Sequence, residues 1–406
     1  MNILFITYNF PPEGGPAVQR ISKFIKYLSQ FGANVFVLTA KKSNKIIDNS
    51  LLDDIKNCSV YSTYDLGNIL SGDFKKILKH FFIPDKSSLW KLTALKKGLQ
   101  IISEQKIDII FSTSPPHSTH LIAQAVSKHS GVKWIADFRD EWIDNSLFHR
   151  SKMKENEKKL ELSVLNDCSH ITTITNKAKQ NFSQRISNDK ISVIRNGYDE
   201  DDFTEIKIKE IESKNRKLKF AYAGRLNELH SPKNLFAALS NLFKSQKINP
   251  EEISFTFIGG SGNDKWLNEY PELNEIVTFI QYLQHDKMLL KLNEADVMLL
   301  LATNMNTTEL FPAKMFEYFR LEKYVFAIIS SLGELSDTVN EYHNSLIAIE
   351  SDIEQIQSGI LKILSDYKND KLKVKVDKNF IDSFQRKKQA EQLLKLFQKI
   401  TAGKNE

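Results

Sequence analysis

The stretch NILFITYNFPPEGGPAVQRISKFIKYLSQFGANVFVLTA, Asn2–Ala40, holds the pattern that decides the fold. Two short apolar runs, NILFITY and NVFVLTA, flank a segment whose apolar residues recur every three or four positions from Val18 to Leu28. This spacing predicts an amphipathic helix between two buried strands, and Gly32 is expected to end that helix. Because parallel strands need a crossover connection, strand, helix and strand in this order predict a parallel β-α-β unit.

The same alternation continues along the chain. The first half adds the strand-like runs DIIFSTS, KWIADF, HITTIT and ISVIRN, and the second half has LKFAYAG, ISFTFIGG, IVTFIQYL, DVMLLLA and YVFAIIS. Near-continuous apolar strands separated by helical segments indicate parallel sheets that are covered on both faces. We therefore expect an α/β protein of two Rossmann-like domains that face each other across a cleft, with ligands at the carboxyl ends of the strands.

The domain boundaries are expected in polar sequence. Asn196–Lys217 is rich in charged residues and lies between the two sets of strands. The predicted domains are residues 1–200 and residues 218–378, joined by a linker at 201–217. A basic amphipathic helix is predicted at 379–402.

Composition narrows the class of protein. The chain has 406 residues, of which 41% are hydrophobic and 26% charged. No apolar run reaches the roughly 20 residues that a membrane-spanning helix needs, and the N-terminus is typical of a strand rather than a signal peptide. Cys58 and Cys168 lack metal-ligand spacing, which favours a reducing cytoplasm over a disulfide framework or a zinc site.

Charge is unevenly distributed between the two halves. Residues 1–200 hold 28 Lys and Arg against 20 Asp and Glu, whereas residues 201–406 hold 28 against 30. The basic first half favours an anionic surface or substrate on that side. No nucleic-acid-binding motif accompanies this charge, so we expect no nucleic acid partner.

Two stretches of the first half carry candidate site residues. Gly14 and Gly15 precede a helix, where backbone N–H groups can approach an anion closely; the alternative is a plain tight turn. The stretch DFRDEW follows a predicted strand, and its charges are costly to bury unless they are paired or face a ligand. Asp137 and Asp140 are candidates for a base or for binding sugar hydroxyls, and Arg139 for binding a carboxylate or phosphate, unless the stretch is a surface ion-pair cluster.

The second half has basic and small residues directly after its strands. Arg225 and Lys233 flank a strand-to-helix loop and suit a diphosphate, although both also fit the pattern of solvated cations. Gly259 and Gly260 end another strand and permit close approach of a nucleotide. The absence of G-x-G-x-x-G argues against a dinucleotide oxidoreductase.

The stretch TTELFPAKMFEYF gives the sharpest local pattern. Pro312 suits the first turn of a helix, and Lys314 then falls where a cation opposes the helix dipole unless it shares an anion with the helix. Glu309 lies before the helix, within reach of a ligand near its start. Glu317 lies inside the helix and can accept hydrogen bonds from a pair of ribose hydroxyls.

Taken in order, six stretches resemble glycosyltransferase family 4, a retaining group with the GT-B fold. They are FITYNFPPEGGPAVQR, PPHSTHLIA, WIADFRDEW, VIRNGYDEDDF, AGRL and FPAKMFEYFRLEKYVFA. The chain looks most like the bacterial subgroup that builds surface polysaccharides. The resemblance implies that the second domain binds a nucleotide sugar and that the first takes the acceptor. It also implies that the last helix crosses back to the first domain.

The resemblance also implies roles for individual residues. Glu317 would bind the ribose and Glu309 the donor sugar, while Arg225 would contact the diphosphate with Lys314 or Lys233 beside it. The chain departs from the family pattern after Glu309, in the eight-residue spacing from Arg225 to Lys233, and at Glu141, where proline is frequent.

The stretch STSPPHSTHLIA, Ser112–Ala123, then has a place in this scheme. The prolines rigidify the loop, and Ser118 or Thr119 is expected to cap the following helix. His117 is expected at the mouth of that helix, in contact with the donor sugar or the acceptor hydroxyl, and His120 to support it or pack.

The implied function is retaining transfer of a sugar from a nucleotide-diphosphate sugar to a glycan or polyprenyl-linked acceptor. No metal or cofactor is expected, and Asp199–Asp201 is interpreted as solvated acid rather than a metal-binding DxD. Two alternatives are a GT-B nucleotide-sugar epimerase and a non-catalytic nucleotide-sugar-binding partner of another transferase. The expected location is the cytoplasm. Phe74–Lys97 is the candidate for docking on the inner membrane leaflet, unless it is an ordinary helix with its aromatic residues in the core.

Overall fold

The structure is a computed structural model that describes residues 1–41, 47–69, 83–144, 154–211, 216–259, 264–303 and 311–403. It divides the chain into two compact units. Unit 1 comprises Met1–Arg195 together with Arg386–Glu406, and unit 2 comprises Asn196–Gln385. Each unit is built on one parallel sheet with helices between its strands, which confirms the predicted class of two Rossmann-like α/β halves.

Unit 1 alternates strands and helices along most of its length. Its elements are β1 (Asn2–Ile6), α1 (Pro16–Gln30), β2 (Asn34–Lys41), β3 (Cys58–Tyr64), α2 (Leu66–Ile69), α3 (Lys91–Gln105), β4 (Ile109–Ser114), α4 (Ser118–Ser130), β5 (Trp134–Phe138), α5 (Lys154–Asp167), β6 (His170–Thr173), α6 (Asn176–Ser183) and β7 (Ile191–Val193), and, from the end of the chain, α13 (Arg386–Ala402).

The seven strands of unit 1 lie in the order β3-β2-β1-β4-β5-β6-β7. Ile3 of β1 pairs with Val35 of β2 on one side and with Ile109 of β4 on the other, and all these pairs are parallel. The strand order reverses between β1 and β4, so the loops after these two strands flank the crevice where such sheets bind ligands.

Helix α1 buries the face that its sequence predicts. Val18, Ile21, Phe24, Ile25 and Leu28 are all buried, because residues three and four apart share one side of a helix.

Helix α13 packs on α1 in unit 1. Leu393 and Phe397 are fully buried there, and the Phe397 ring meets Phe111 of β4 with centroids 5.7 Å apart. Burying each such side chain contributes roughly 1.5–3 kcal/mol. The final helix therefore completes the core of unit 1.

Unit 2 repeats the same arrangement. Its elements are β8 (Leu218–Ala223), α7 (Lys233–Lys244), β9 (Ile253–Ile258), β10 (Val277–Ile280), α8 (His285–Leu292), β11 (Val297–Ala302), α9 (Lys314–Arg320), β12 (Tyr324–Ile329), α10 (Glu334–Glu341), β13 (Ser345–Ile349), α11 (Ile353–Lys368) and α12 (Lys378–Asp382).

The sheet of unit 2 has the order β10-β9-β8-β11-β12-β13. Its order reverses between β8 and β11, and all six residues of β11 are buried. The carboxyl ends of β8 and β11 therefore flank the crevice of this sheet.

Two predicted boundaries differ from the division in the structure. The described part of the predicted linker belongs to unit 2, where the Lys209 amide donates to Asn293 Oδ1 at 3.1 Å. Glu200, predicted in the first domain, also belongs to unit 2 and pairs with Arg320 at 2.5 Å. The predicted final helix is broken after Asp382, and Phe380 stays in unit 2 against Phe319. The contact between Phe380 and Phe319 places α12 in unit 2, whereas α13 belongs to unit 1.

Candidate functional site

His117 lies in unit 1 after β4 and the proline pair, and only 5% of its surface is exposed. Its ring stacks on the indole of Trp142, with centroids 4.7 Å apart and planes 4° apart. Burial lowers the pKa of His117 well below its ordinary value, and the neighbouring His120 and Arg139 lower it further. The ring is therefore neutral at neutral pH and can serve as a hydrogen-bond donor or acceptor rather than a cation.

His120 lies one turn further on and is held by two hydrogen bonds in series. Trp134 Nε1 donates to Ser112 Oγ at 2.7 Å, and Ser112 Oγ lies 2.8 Å from His120 Nδ1. The Ser112 hydroxyl thus links the indole of Trp134 to the ring of His120. Burial lowers the pKa of His120 to about 3. His120 is thus a buried, neutral packing residue.

The prediction that Ser118 or Thr119 caps α4 is wrong. Ser118 and Thr119 are buried inside the first turn, and neither side chain caps the helix. Instead Asp85 Oδ2, from a distant loop, accepts the Ser118 amide at 2.8 Å. A carboxylate does so well at a helix N-terminus because it also interacts favourably with the helix dipole. Asp85 thereby fixes the turn that carries His117.

Asp137 is not placed to meet a ligand, which corrects its predicted role. Its carboxylate is fully buried and pairs with Arg20 at 2.9 Å, while Thr113 and Thr172 each donate a hydroxyl at 2.8 and 2.7 Å. Burial alone would raise the pKa of Asp137, but Arg20 and these hydroxyls hold it below its ordinary value. Asp137 is therefore a structural anion that ties β5 to α1, β4 and β6.

Arg139 and Asp140 lie beyond the end of β5 and are partly exposed. Arg139 donates to the carbonyl oxygens of Ser114 and Pro115 at 2.8 and 2.9 Å, so it fastens the proline loop. Asp140 makes no hydrogen bond with the described residues; burial raises its pKa and Arg139 opposes that rise. Asp140 remains the candidate acid or base of this stretch.

The glycine pair lies at the start of α1. Gly15 has φ of 119°, which favours glycine, and no side chain caps the helix at this point. A Cβ built on Gly15 would meet no atom within 4 Å. The predicted approach of an anion to Gly14 and Gly15 is therefore sterically open and remains a prediction.

In unit 2, Lys314 lies against the end of β8. Its Nζ sits 3.9 Å above the centroid of the Tyr222 ring and makes no hydrogen bond with the described residues. A Cβ placed on Gly224 would come within 2.8 Å of this nitrogen, and the φ of 135° at this residue favours glycine. We call Tyr222, Gly224 and Lys314 the lysine pocket. Burial lowers the pKa of Lys314 to about 7, while Glu317 opposes the shift.

Glu317 is held by a histidine that the sequence analysis did not single out. His285 Nε2, on the first residue of α8, donates to Glu317 Oε1 at 2.7 Å, and Asp202 Oδ2 lies 3.6 Å from His285 Nδ1. The other oxygen of Glu317 accepts no hydrogen bond from the described residues. Glu317 is thus oriented through one oxygen, and the second is available for a pair of hydroxyls.

The remaining predicted donor-site residues are less constrained. Arg225 and Lys233 are exposed and pair with none of the described residues. Gly259 abuts Gly224, since a Cβ on it would come within 3.2 Å of the Gly224 carbonyl carbon. Glu309 and Gly260 lie outside the described residues.

The acidic stretch Asp199–Asp201 is only in part the solvated acid that the sequence predicts, because Asp201 is exposed and Glu200 partly exposed, whereas Asp199 is buried. Asp199 accepts the Asp201 amide at 3.2 Å, and Glu200 pairs with Arg320. Within the described ranges, no group of three His, Cys, Asp or Glu side chains could hold a metal ion. Independence from metal stays a prediction.

Phe74–Lys97 is only partly described. Its residues 74–82 lie outside the described residues, and with them most of the predicted membrane-facing lysines and phenylalanines. Trp90 is fully buried and donates through Nε1 to Thr63 at 2.8 Å, so it belongs to the core as the alternative reading had it. No described helix is both long and apolar enough to cross a membrane.

Comparison with protein families matches both units. Residues 17–202 match the family model described as Glycosyltransferase Family 4, and residues 203–382 match Glycosyl transferases group 1. The chain is built from two glycosyltransferase domains. No curated protein matches the sequence.

Solved structures share the fold of this glycosyltransferase at low sequence identity. A glycosyltransferase from Rickettsia africae has 14% identity and a TM-score of 0.68, over 100% of this chain and 99% of its own. Anabaena HepE in complex with UDP has 15% identity and a TM-score of 0.66, over 98% and 100%. A UDP-GlcNAc 2-epimerase from Methanocaldococcus jannaschii has 15% identity and a TM-score of 0.56, over 98% and 99%. These similarities establish the GT-B architecture.

Sequence reasoning missed three residues of the glycosyltransferase: Asp85, Tyr222 and His285. Two of them have a local signal, because Tyr222 is the penultimate residue of β8 and His285 follows β10 at the start of a helix. Asp85 has none, since its partner lies 33 positions away.

Proposed function

We propose that the protein transfers a sugar from a nucleotide-diphosphate sugar to a hydroxyl of a glycan or lipid-linked acceptor, with retention at the anomeric carbon. The biological setting that we propose is synthesis of a bacterial surface polysaccharide. The observation that carries the proposal is the lysine pocket, in which a half-buried ammonium without a hydrogen-bonded carboxylate lies at the carboxyl end of a parallel strand. UDP bound to the Anabaena structure supports a nucleotide donor.

The proposed chemistry is a front-face displacement. The bond from the anomeric carbon to the phosphate oxygen breaks, and the diphosphate leaves with the electron pair. The acceptor oxygen forms its bond on the same face, and its proton passes to the departing phosphate oxygen. Lys314, with Arg225 or Lys233, neutralises the diphosphate, so the step needs no metal.

Each of the other predicted residues has a proposed role in the reaction. Glu317, oriented by His285, binds the ribose hydroxyls, and Glu309 binds the donor sugar. His117, kept neutral by burial, hydrogen-bonds a sugar or acceptor hydroxyl, and Asp140 assists as an acid or base. Gly14 and Gly15 offer backbone N–H groups to an anionic part of the donor or acceptor.

A thermal-shift screen against UDP, GDP, ADP and their sugars tests the donor. At least one nucleotide is expected to raise the unfolding temperature, because a ligand at 100 times its Kd stabilises a protein by about 2.7 kcal/mol. The sugar with the stabilising base is then assayed with acceptor in EDTA, and turnover with an unchanged anomeric configuration is expected. If no nucleotide raises the unfolding temperature, the proposal is wrong.

The same assay separates the two alternatives. An epimerase shares the fold and converts a nucleotide sugar without an acceptor. A non-catalytic binding partner gives no product, and its substitution at Lys314 or Glu317 leaves polysaccharide synthesis in cells unchanged. The proposed transferase gives product only when the acceptor is present.

Membrane docking through Phe74–Lys97 is a separate proposal about the partner. Charge reversal at Lys75, Lys76 and Lys79 is expected to reduce binding to anionic vesicles more than tenfold, since each lysine near such a surface contributes about 1 kcal/mol. Co-sedimentation with phosphatidylserine vesicles measures this. Reversal of three exposed lysines of unit 2, Lys362, Lys368 and Lys371, is the matched control. Equal binding of both variants would contradict docking by this segment.

A further inference from the structure

Tyr222 carries a buried hydroxyl that nothing in the described chain satisfies. The side chain is fully buried, its ring packs beside Phe257 with centroids 5.9 Å apart, and Oη has no hydrogen-bond partner. The neighbouring Tyr318 is different, because its hydroxyl accepts the Ala223 amide at 3.1 Å. Buried polar groups in native proteins are almost always paired, so an exception indicates a partner beyond the described residues, and a bound ligand is one such partner.

The Tyr222 hydroxyl and the Lys314 ammonium both lie close to Gly224. The position that a Cβ would take on Gly224 lies 3.3 Å from Tyr222 Oη and 2.8 Å from Lys314 Nζ. Gly224 has no side chain and a φ of 135°, so no Cβ separates the two groups on this side of the backbone. A hydroxyl and an ammonium therefore border the same glycine at the carboxyl end of β8.

The chemistry of these two groups selects their ligand. Burial raises the pKa of Tyr222 well above its ordinary value, so the hydroxyl keeps its proton. An ammonium has three donors and no acceptor, and a phenol that donates beside it completes a pair of donors. Two donors beside the same glycine fit an anionic oxygen, and hydrogen bonds to a charged group are the strong ones.

We propose that the Tyr222 hydroxyl and the Lys314 ammonium together bind one phosphate oxygen of the nucleotide-sugar diphosphate, which makes Tyr222 a residue of the donor site. The inference rests on the proposed function, because it takes the diphosphate as the ligand of the lysine pocket. The inference has a consequence that would not follow if Tyr222 only packed in the core. The unpaired hydroxyl destabilises the free protein and stabilises the complex, so its removal should raise the stability of the free protein and lower its affinity for the diphosphate.

The test compares Tyr222→Phe with Tyr318→Phe in the full-length chain. For Y222F we expect an unfolding temperature equal to or above that of the wild type without ligand. Its affinity for the stabilising nucleoside diphosphate, measured by calorimetry, is expected to fall roughly 10- to 100-fold. Y318F is the matched control: it strands the Ala223 amide, so its unfolding temperature without ligand is expected to fall.

Ligand variants identify the contacted group. The nucleoside without phosphates is expected to bind the wild type and Y222F equally. An affinity loss that occurs with the nucleotide sugar but not with the nucleoside diphosphate would overturn the phosphate assignment. If the wild type binds the nucleoside diphosphate and Y222F binds it equally tightly, the inference about Tyr222 is wrong, but the proposed function is unaffected. If the wild type binds no nucleotide, the proposed function itself is wrong.

Discussion

The Lys314→Met variant is expected to lose roughly 10²- to 10³-fold in kcat/KM, the effect of removing one preorganised charge-stabilising group from an active site. The ammonium lies over the Tyr222 ring at 3.9 Å and makes no hydrogen bond with the described residues, so its charge is available to a ligand. Methionine has a similar length and removes only the charge and the donors. Steady-state turnover of the donor sugar measures the loss.

The same lysine predicts how nucleotide affinity depends on pH. Since the pKa of Lys314 is about 7 in the free protein, the amine is increasingly neutral above pH 7 and must take up a proton when it binds an anion. Affinity is therefore expected to fall by up to tenfold per pH unit between pH 7 and pH 9. Phosphate ionisation, with a second pKa near 6, is already complete in that range, and His230 beside Lys314, with its pKa lowered by burial to about 4, is already neutral.

Two controls separate this effect from general perturbation. Lys291→Met removes a lysine that is exposed and paired with Glu294 at 2.6 Å, and it is expected to leave both turnover and the pH profile unchanged. The K314M protein is expected to bind nucleotide weakly at every pH from 7 to 9. If K314M keeps the slope of the wild type, another group carries the pH dependence and the lysine pocket is not the anion site.

The largest expected effect on stability belongs to Asp137→Asn. The substitution leaves Arg20 buried with its charge and no anionic partner, and breaking a buried ion pair in this way costs about 3–5 kcal/mol. Chemical denaturation of the full chain measures the loss, which is expected in the transition of unit 1. Because the pKa of Asp137 is lowered in the folded state, its contribution is present above the unfolded pKa of about 4 and is lost as pH falls.

Lys128→Met is the matched control in the same unit. Lys128 and Asp167 also form an ion pair, at 2.6 Å, but Lys128 is largely exposed, and such pairs contribute about 1 kcal/mol or less. A D137N protein with wild-type stability and lost turnover would instead restore the ligand-binding role that the sequence suggests for Asp137.

The fold was predictable wherever strands are buried on both faces. β4 and β11 have no exposed residue, and the apolar runs IIF of β4 and VMLLLA of β11 mark them in the sequence. Of the four edge strands, β7 and β10 were predicted, and β3 and β13 were missed. β3 exposes Val60 and Tyr64 and therefore reads CSVYSTY, with no apolar run to mark it. An edge strand has one neighbour and less cover, so the hydrophobic pattern that identifies central strands fades there.

The candidate site was only partly predictable, because its side chains are fixed by partners far away in sequence. The acidic character of DFRDEW is local, but Asp137 meets Arg20 across 117 positions, and that pairing turns a presumed ligand residue into a buried one. Likewise, Glu317 is visible in the sequence, whereas the histidine that orients it lies 32 positions away. Local pattern locates the strand ends where chemistry collects, and tertiary pairing decides which residues there stay free.

The position of α13 sets an order for folding during synthesis. Unit 1 needs residues from both ends of the chain, whereas unit 2 is continuous from Asn196 to Gln385. During translation, the apolar face of α1 lacks its contacts with Leu393 and Phe397 until all of unit 2 has been synthesised. At 5–20 residues per second this takes roughly 10–40 s. Unit 2 can therefore complete its folding before unit 1, although it is encoded after most of unit 1. A nascent chain that stalls before Arg386 exposes the apolar face of α1 to chaperones.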